Sequence, residues 1–338
     1  MLPRRGKVTI RQVAAAAGVS RATASRVISG SPLVSEQSRH AVEKAIAELE
    51  FVPSAAARNL ALGRSSTVAL VLPEPDSRVL SDPFFAGTIL GLSGRLDMSD
   101  MQMVLLIARS GQGTQRIVRF LEAGHVDGAV IASHHRDDSL NRRVLHSALP
   151  CVFIGRPLGV DVPAHYVDMD NRQGARQATE HLIGIGSQRV ATIAGPSDMS
   201  SGLDRLEGWR DAMRAAGRPD DAVAYGNYTL EGGRQAAREL LAAHPDLDAV
   251  FVASDMMATG ALAEIGNQGR RVPDDVAVIG FDNFELSQST VPPLSTVDHP
   301  VSQMAAKAGE MLLDVLAGTQ PSVDPVLFAP RLVLRTTA

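Results

Sequence analysis

Residues 8–30, VTIRQVAAAAGVSRATASRVISG, divide at a glycine into two short helices. Thr9 and Gln12 stand at capping-box spacing, which predicts a helix starting near Ile10. Gly18 supplies the positive φ that ends it, since a residue without Cβ enters that region at little cost. Ser20 then caps a second helix, which Gly30 closes. Val13, Ala17, Val19, Ala24, Val27 and Ile28 recur at helical spacing and can share a small core. A third helix, capped by Ser35, runs to about Glu50 with Val42, Ala45, Ile46 and Leu49 on one face. Helix, tight turn, helix is the helix-turn-helix arrangement, whose second helix enters the major groove of DNA. Arg21 and Ala22 would face base edges, with Arg26 a turn later; arginine pairs in bidentate fashion with guanine O6 and N7. Ser20, Thr23, Ser25 and Ser29, with Thr9 at the first helix, offer short hydroxyls to phosphates. The same spacing also fits an ordinary three-helix domain with surface arginines.

Charge distribution favours the DNA reading. The 338 residues carry a net charge of −4, which alone argues against nucleic acid. Yet residues 1–64 hold ten Lys and Arg against four Glu, leaving the rest at −10. A basic head on an acidic body fits a protein whose head alone touches phosphate. Composition is that of a soluble globular chain, long enough for two or three domains, with no apolar run near the ~20 residues of a membrane span. The N-terminus has no apolar signal region, and the single cysteine, Cys151, excludes an intrachain disulfide. Both point to the cytoplasm, with Cys151 as an inert core thiol.

Past the third helix, VPSAAARNLALGRSS (52–66) predicts a helix from Ser54 to Leu62, capped by Ser54 and ended by Gly63. It is about two turns long, and isolated helices under ~12–15 residues are marginal in water. Its one large apolar side chain, Leu60, has little nearby to bury it.

The words VTIRQVAAAAGVS, ATASRVISG, AIAELEFVPS and AARNLALG lie in order and without gaps over about the first 63 residues. They closely resemble the head of the lactose-repressor/galactose-repressor (LacI/GalR) family. Ala24 stands where that family usually has valine, and Ser29 where asparagine is common. The resemblance implies that residues 1–53 bind DNA and that 54–63 form a hinge helix, with Ser54, Arg58, Asn59 and Leu60 as DNA contacts. Leu60 matches the family's wedge, an apolar side chain that unstacks a base step in the minor groove. Two hinge helices from a dimer, packed through Ala56, Ala57 and Ala61, would stabilise each other on DNA.

From Thr67 the pattern alternates. Apolar strands read TVALVLP, QMVLLIA, DGAVIAS, CVFIG, RVATIAG, DAVFVAS and VAVIGFD, with helices at 84–97, 171–185, 201–217, 230–243, 255–267 and 300–317. Such alternation predicts parallel sheets covered on both faces. One sheet would need eleven or twelve strands, so two lobes are expected. The fold class is thus an all-α helix-turn-helix head plus an α/β two-lobed core of two doubly wound parallel sheets. The core, 64–338, resembles the periplasmic-binding-protein-like body of the same family. Three crossings are implied, with lobe one at about 64–167 and 298–325 and lobe two at about 168–297 and 326–338.

Ligands of such sheets bind at the carboxyl ends of strands. The loops there carry SDPFF (81–85), GRP (155–157), DRLEGW (204–209), ASDMMATGA (253–261) and GFDNFELS (280–287). Asp82, Asp255 and Asp282 accept hydrogen bonds, Arg156 and Arg205 donate, and Phe84, Phe85 and Trp209 offer flat apolar faces. A few convergent polar groups on apolar walls suit a polyhydroxylated small molecule. Ser254 joins them through the resemblance. Equally, Asp255 and Asp282 can cap the helices that follow, and Phe84 or Phe85 can be core. Asp170-Asn171 is expected to start a helix. Adjacent His134 and His135 point apart, so no metal is expected, and no cofactor motif is present: GIGSQR lacks the third glycine of a dinucleotide fingerprint.

The expectation is a ligand-responsive, dimeric transcription regulator, a repressor with a sugar effector and a pseudo-palindromic operator. A purine- or phosphosugar-dependent corepressor system is the alternative. A transport receptor would need a signal peptide, and an enzyme a phosphate loop, nucleophile elbow or acid-base pair; none is found. No leucine-heptad tail follows RLVLRTTA, which favours a dimer over a tetramer.

Overall fold

The computed structural model describes residues 8–28, 31–51, 65–107, 112–136, 139–319, 322 and 324–338. The expected hinge helix, with Ser54, Arg58, Asn59 and Leu60, and also Ser29, lie outside the described residues. The chain divides into two compact units, residues 1–66 and 67–338.

The first unit has three helices, α1 (Ile10–Ala16), α2 (Arg21–Ile28) and α3 (Glu36–Glu48). The capping box forms: the Thr9 N–H donates to Gln12 Oε1 at 2.8 Å. Gly18 takes φ +64°, and Ser20 Oγ accepts the Thr23 N–H at 3.0 Å. Val13, Ala14, Ala24, Val27, Val42 and Ala45 form the buried centre, with Ile10, Ala17, Val19, Ile46 and Leu49 packed on it. Helix α3 stops at Glu48, two residues short of expectation. Glu50 adopts φ +48°, which breaks the helical run, and the Phe51 N–H returns to Ile46 O.

In the second unit, a six-stranded parallel sheet runs in the order β11 (Val326–Phe328), β5 (Tyr166–Met169), β4 (Cys151–Ile154), β3 (Gly128–Ala132), β1 (Thr67–Leu72), β2 (Gln102–Ile107). Successive side chains of a strand face opposite ways. Val68, Leu70 and Leu72 of β1 therefore pack with α5 (Pro83–Asp97) and α13 (Val301–Leu316), while Ala69 and Val71 pack with α6 (Gln112–Glu122) and α7 (Ser139–Leu145). A short helix, α4 (Asp76–Ser81), precedes α5. Burial pushes the Cys151 thiol up to about 12, so it stays a thiol.

A four-stranded parallel sheet runs β7 (Val223–Tyr225), β6 (Val190–Ala194), β8 (Ala249–Val252), β9 (Ala277–Ile279). Helices α8 (Asn171–Gly184) and α9 (Ser200–Ala215) cover one face, α10 (Leu230–Ala243) and α11 (Asp255–Asn267) the other. Helix α12 (Glu285–Ser289) follows β9. An antiparallel ribbon of β10 (Thr296–Asp298) and β12 (Arg331–Val333) lies where the chain recrosses. The last crossing differs from expectation. Val326–Phe328 pairs with Val167–Met169, so these residues belong to the first sheet and not to lobe two. The extra pairing is possible because β11 and β5 run parallel and the Asp170 N–H bonds Phe328 O at 3.0 Å.

Candidate functional site

Loops at the carboxyl ends of both sheets surround a cavity of about 700 Å³, counted out to its open mouth. Its best-anchored side chain is Arg205, 3% exposed, on α9. Nε donates to Asn171 Oδ1 at 2.9 Å, and Nη1 donates to Ala253 O at 2.7 Å and Asp282 Oδ1 at 3.3 Å. The guanidinium carbon lies 3.6 Å from the centroid of the Phe281 ring, a cation–π contact that fixes its plane. Nη2 has no protein partner among the described residues and is the donor left for a ligand. Asp282 holds an uncommon φ of +118° and also accepts from His299 Nδ1 at 3.2 Å. Non-glycine residues persist in such conformations only where their surroundings impose them, and binding sites are where this concentrates.

On the other wall, Asp82 caps α5 by accepting the Phe84 N–H at 3.0 Å. Burial, reinforced by the charge of Asp282, pushes its carboxyl from 3.8 up to about 6. Phe84 lines the cavity, its ring tilted against His299 at 6.0 Å. Ser254 lines it too and caps α11 through the Met257 N–H at 3.2 Å. Thus Asp82, Phe84, Arg205, Ser254 and Asp282 come together as expected from sequence.

Four expected residues do not join them. Phe85 is fully buried and meets Phe84 edge-on at 5.3 Å, because one turn-adjacent aromatic must face the core when the other faces the cleft. Trp209, on α9 one turn after Arg205, is fully buried in the core. Asp255 is fully buried: Oδ1 accepts the Thr296 hydroxyl at 2.6 Å and Oδ2 the Phe284 N–H at 3.0 Å. It fastens the loop after β9 to β10, and burial with the nearby Asp282 charge raises its carboxyl well above the usual range. Arg156 is engaged elsewhere, in a two-oxygen pair with Asp204 at 2.8 Å that ties lobe one to α9.

Other lining residues escaped the sequence reading. Tyr228 sits in NYT (227–229), after the three-residue strand β7, which is too short to show as a periodic run. Asn227 and Tyr228 have φ +51° and +56°, and the Tyr228 hydroxyl bonds Ser201 Oγ at 3.0 Å. A Cβ at Gly195 would collide with the Tyr228 ring, so glycine lets the ring lie across the end of β6. Asp170 caps α8 as expected, through the Gln173 N–H at 2.9 Å, but Asn171 also lines the cavity and holds Arg205. His134, buried on the cavity wall with Nε2 3.1 Å from Gly155 O, is pushed down to about 4 by burial and stays neutral. His135 points elsewhere, to Asp198 and Glu74. Among the described residues no group of His, Cys, Asp or Glu could hold a metal.

In the first unit, Arg21, Ala22 and Arg26 are exposed on the side of α2 opposite buried Ala24 and Val27, with Ser25 half-buried between them. Ser20 and Thr23 engage each other at 2.9 Å at the head of α2, and exposed Thr9 is held by its capping box.

Comparison with known proteins agrees with both units. Residues 9–54 match the model described as bacterial regulatory proteins, lacI family, and residues 65–327 that of periplasmic binding proteins and sugar binding domain of LacI family. The chain is 45% identical to the HTH-type transcriptional regulator CelR of Thermobifida fusca over 99% of this chain and 98% of that protein. It is 31% identical to the transcriptional repressor CytR of Escherichia coli K12, over 97% and 95%. Among solved structures it resembles a CelR–cellobiose complex (TM-score 0.79, 42% identity, 98% of this chain and 100% of that one). It also resembles the lac repressor dimer bound to operator and an anti-inducer (TM-score 0.85, 28% identity, 98% and 99%). With a helix-turn-helix unit, a two-lobed α/β core and matches to both family models, the chain belongs to the lacI family of bacterial regulatory proteins.

Proposed function

We propose that this protein is a sugar-responsive transcriptional repressor, acting in the cytoplasm as a homodimer on a pseudo-palindromic operator, with a neutral oligosaccharide such as cellobiose as effector. The observation that carries the ligand class is the cleft's charge pattern. Arg205 already has Asp282 as partner and Arg78 has Glu74, and Asp82 adds another carboxylate at the cavity, so the site offers acceptors and guanidinium donors but no unpaired positive charge. Hydroxyls satisfy both kinds of group, whereas a phosphate would meet two carboxylates; the corepressor alternative with a phosphorylated ligand is disfavoured. Phe84 and Tyr228 supply apolar faces for the ring's C–H surface.

A second copy fits one face of the core. Strand β2 is an edge strand with Leu105 part-exposed; its neighbour α5 exposes Leu90 (69%), and Met98 (75%) is exposed at that helix's C-cap. Exposed apolar groups beside an open edge call for cover, and a two-fold partner supplies the same surface in return. Each head then takes one half-site, with Arg21, Ala22 and Arg26 at base edges, Thr9, Ser20, Thr23, Ser25 and Ser29 at phosphates, and residues 54–63 as paired hinge helices whose Leu60 wedges the centre. Ligand acts by favouring one spacing of the lobes, which makes or melts that pair; it works only through different affinity for the two states. No catalytic role is proposed.

Selection of bound sequences from random duplex DNA at near-physiological salt, with and without cellobiose, tests the reading. A two-fold palindrome with a central CG step should be enriched, and cellobiose should abolish the enrichment. Failure to enrich any sequence in either condition would refute the operator reading; enrichment indifferent to cellobiose and to a pool of other sugars would refute the effector.

A further inference from the structure

The cleft holds a second polar cluster, on the first lobe, that the effector reading leaves unused. Glu74, in the loop after β1, is 3% exposed. Its Oε1 accepts Arg78 Nη1 at 2.8 Å, the Ser133 hydroxyl at 2.6 Å and His135 Nε2 at 3.2 Å. These bonds outweigh its burial and hold the carboxyl below the usual range, so Arg78 has a fixed anion behind it. Arg78 and Ser133 both line the cavity. Arg78 Nε is sealed from solvent without a partner, and Nη2 has no protein partner among the described residues.

Arg78 thus repeats on lobe one what Arg205 does on lobe two. Each guanidinium is tied to a buried carboxylate by Nη1 and keeps Nη2 unused. Tyr228, from lobe two, lies between the clusters: its centroid is 5.7 Å from the Arg78 guanidinium carbon and 5.8 Å from that of Arg205. A ligand with two rings can place one ring against each cluster, across a shared aromatic surface. A single ring on Arg205 leaves the Arg78 donor unmet. Arginine suits the role because its planar fork can hold Glu74 with one nitrogen and a ligand oxygen with another, which a lysine ammonium does without fixed geometry.

We infer that Arg78 is a specificity-determining residue, donating from lobe one to a hydroxyl or ring oxygen on the second ring of a disaccharide and making the cleft prefer two rings to one. This rests on the sugar reading above. The test is calorimetric titration of the full chain with cellobiose and with glucose, for wild type, Arg78→Gln, Arg78→Lys and Glu74→Gln, with thermal unfolding in parallel. Arg78→Gln should weaken cellobiose roughly ten- to a hundredfold, the loss of one hydrogen bond from a charged donor, while glucose changes less than about threefold. Arg78→Lys should recover part of the loss, and Glu74→Gln, which leaves Arg78 in place but unanchored, should fall between. Cellobiose binding unchanged in Arg78→Gln, or weakened by the same factor as glucose, would overturn the assignment. A wild-type chain that binds neither sugar would overturn the effector reading itself, and this inference with it.

Discussion

Asp82→Asn should make the core more stable at neutral pH and no more stable in acid. Asn caps a helix about as well as Asp, so the substitution keeps the bond from the Phe84 N–H and removes only the charge. In the folded chain burial pushes the Asp82 carboxyl up to about 6, against 3.8 for the free group. Below about pH 4 it is protonated in folded and unfolded chains alike, and its contribution is fully present. As pH rises from about 4 to 6 the unfolded chain releases the proton while the folded chain retains it, so stability falls by about 1.4 kcal/mol per unit. The whole interval amounts to about 3 kcal/mol, and roughly 1–3 kcal/mol once water at the cleft mouth screens part of the charge. The variant escapes this loss. Urea unfolding at pH 4 and pH 7.5, followed by the fluorescence of the single tryptophan, Trp209, reports the core unit alone because that residue lies in α9. A stability gap of the same size at both pH values, or none at pH 7.5, would refute the electrostatic account of Asp82. In the proposed site, where Asp82 accepts from a sugar hydroxyl, cellobiose affinity should also fall in the same variant.

Leu60→Ala should weaken operator binding in a DNA titration while leaving cellobiose affinity almost unchanged; unaltered operator affinity would end the wedge reading. Asp255→Ala should lower the stability of the core by about 2–4 kcal/mol in urea unfolding, because the Thr296 hydroxyl and the Phe284 N–H lose their buried acceptor. Asp255→Asn, which keeps an acceptor oxygen, should lose much less, and folded Asp255→Asn should bind cellobiose like wild type; a large loss of affinity there would return Asp255 to the ligand.

Legibility followed the length of each pattern. The head was readable almost to the residue because caps and turns are local: Thr9, Gln12, Gly18, Ser20 and Ser35 each act within four positions. Long apolar strands showed the two sheets, but β7, β10, β11 and β12 have three residues each, too few for a period, and so Tyr228 went unseen and the last crossing was misplaced. Residue type and loop position pointed to Asp82, Phe84, Arg205 and Asp282, and the family resemblance to Ser254, all of which line the cavity. Those two signals cannot tell a ligand contact from an internal fastening. Asp255 and Asp282 both follow a strand end and precede a helix, and only the three-dimensional partners separate them: Asp255 is saturated by Thr296 and Phe284, whereas Asp282 meets Arg205 and His299 at the cavity. Arg78 was hidden for a different reason, since its meaning comes from Glu74, Ser133 and Tyr228, which only the fold brings near.

The two lobes are joined in two unlike ways, and the contrast explains how a small ligand can govern their spacing. One apolar cluster runs through both, from Leu70 and Phe85 to Phe251 and Phe281, by way of Met169 and Val297 on the crossing strands. Repacking it would cost many buried contacts, so it acts as the fixed side of the joint. Elsewhere the lobes meet through polar bridges: Arg156 to Asp204, His135 to Asp198 at 2.7 Å, and the Arg136 N–H to Asp198 O at 2.8 Å. Both side-chain bridges are part-exposed, and even fully charged pairs of that kind are worth about 0–1 kcal/mol each. Their sum is of the order of a few hydrogen bonds. A ligand held by Arg205 on one lobe and by Asp82 or Arg78 on the other contributes bonds of that same size, and only in the closed arrangement. Reversing a population from 1:99 to 99:1 takes about 5.5 kcal/mol of differential affinity, within reach of a disaccharide's hydroxyls. If the proposed function holds, the weakness of the bridges is what lets the cleft respond to a sugar, and strengthening them should hold the lobes together without one.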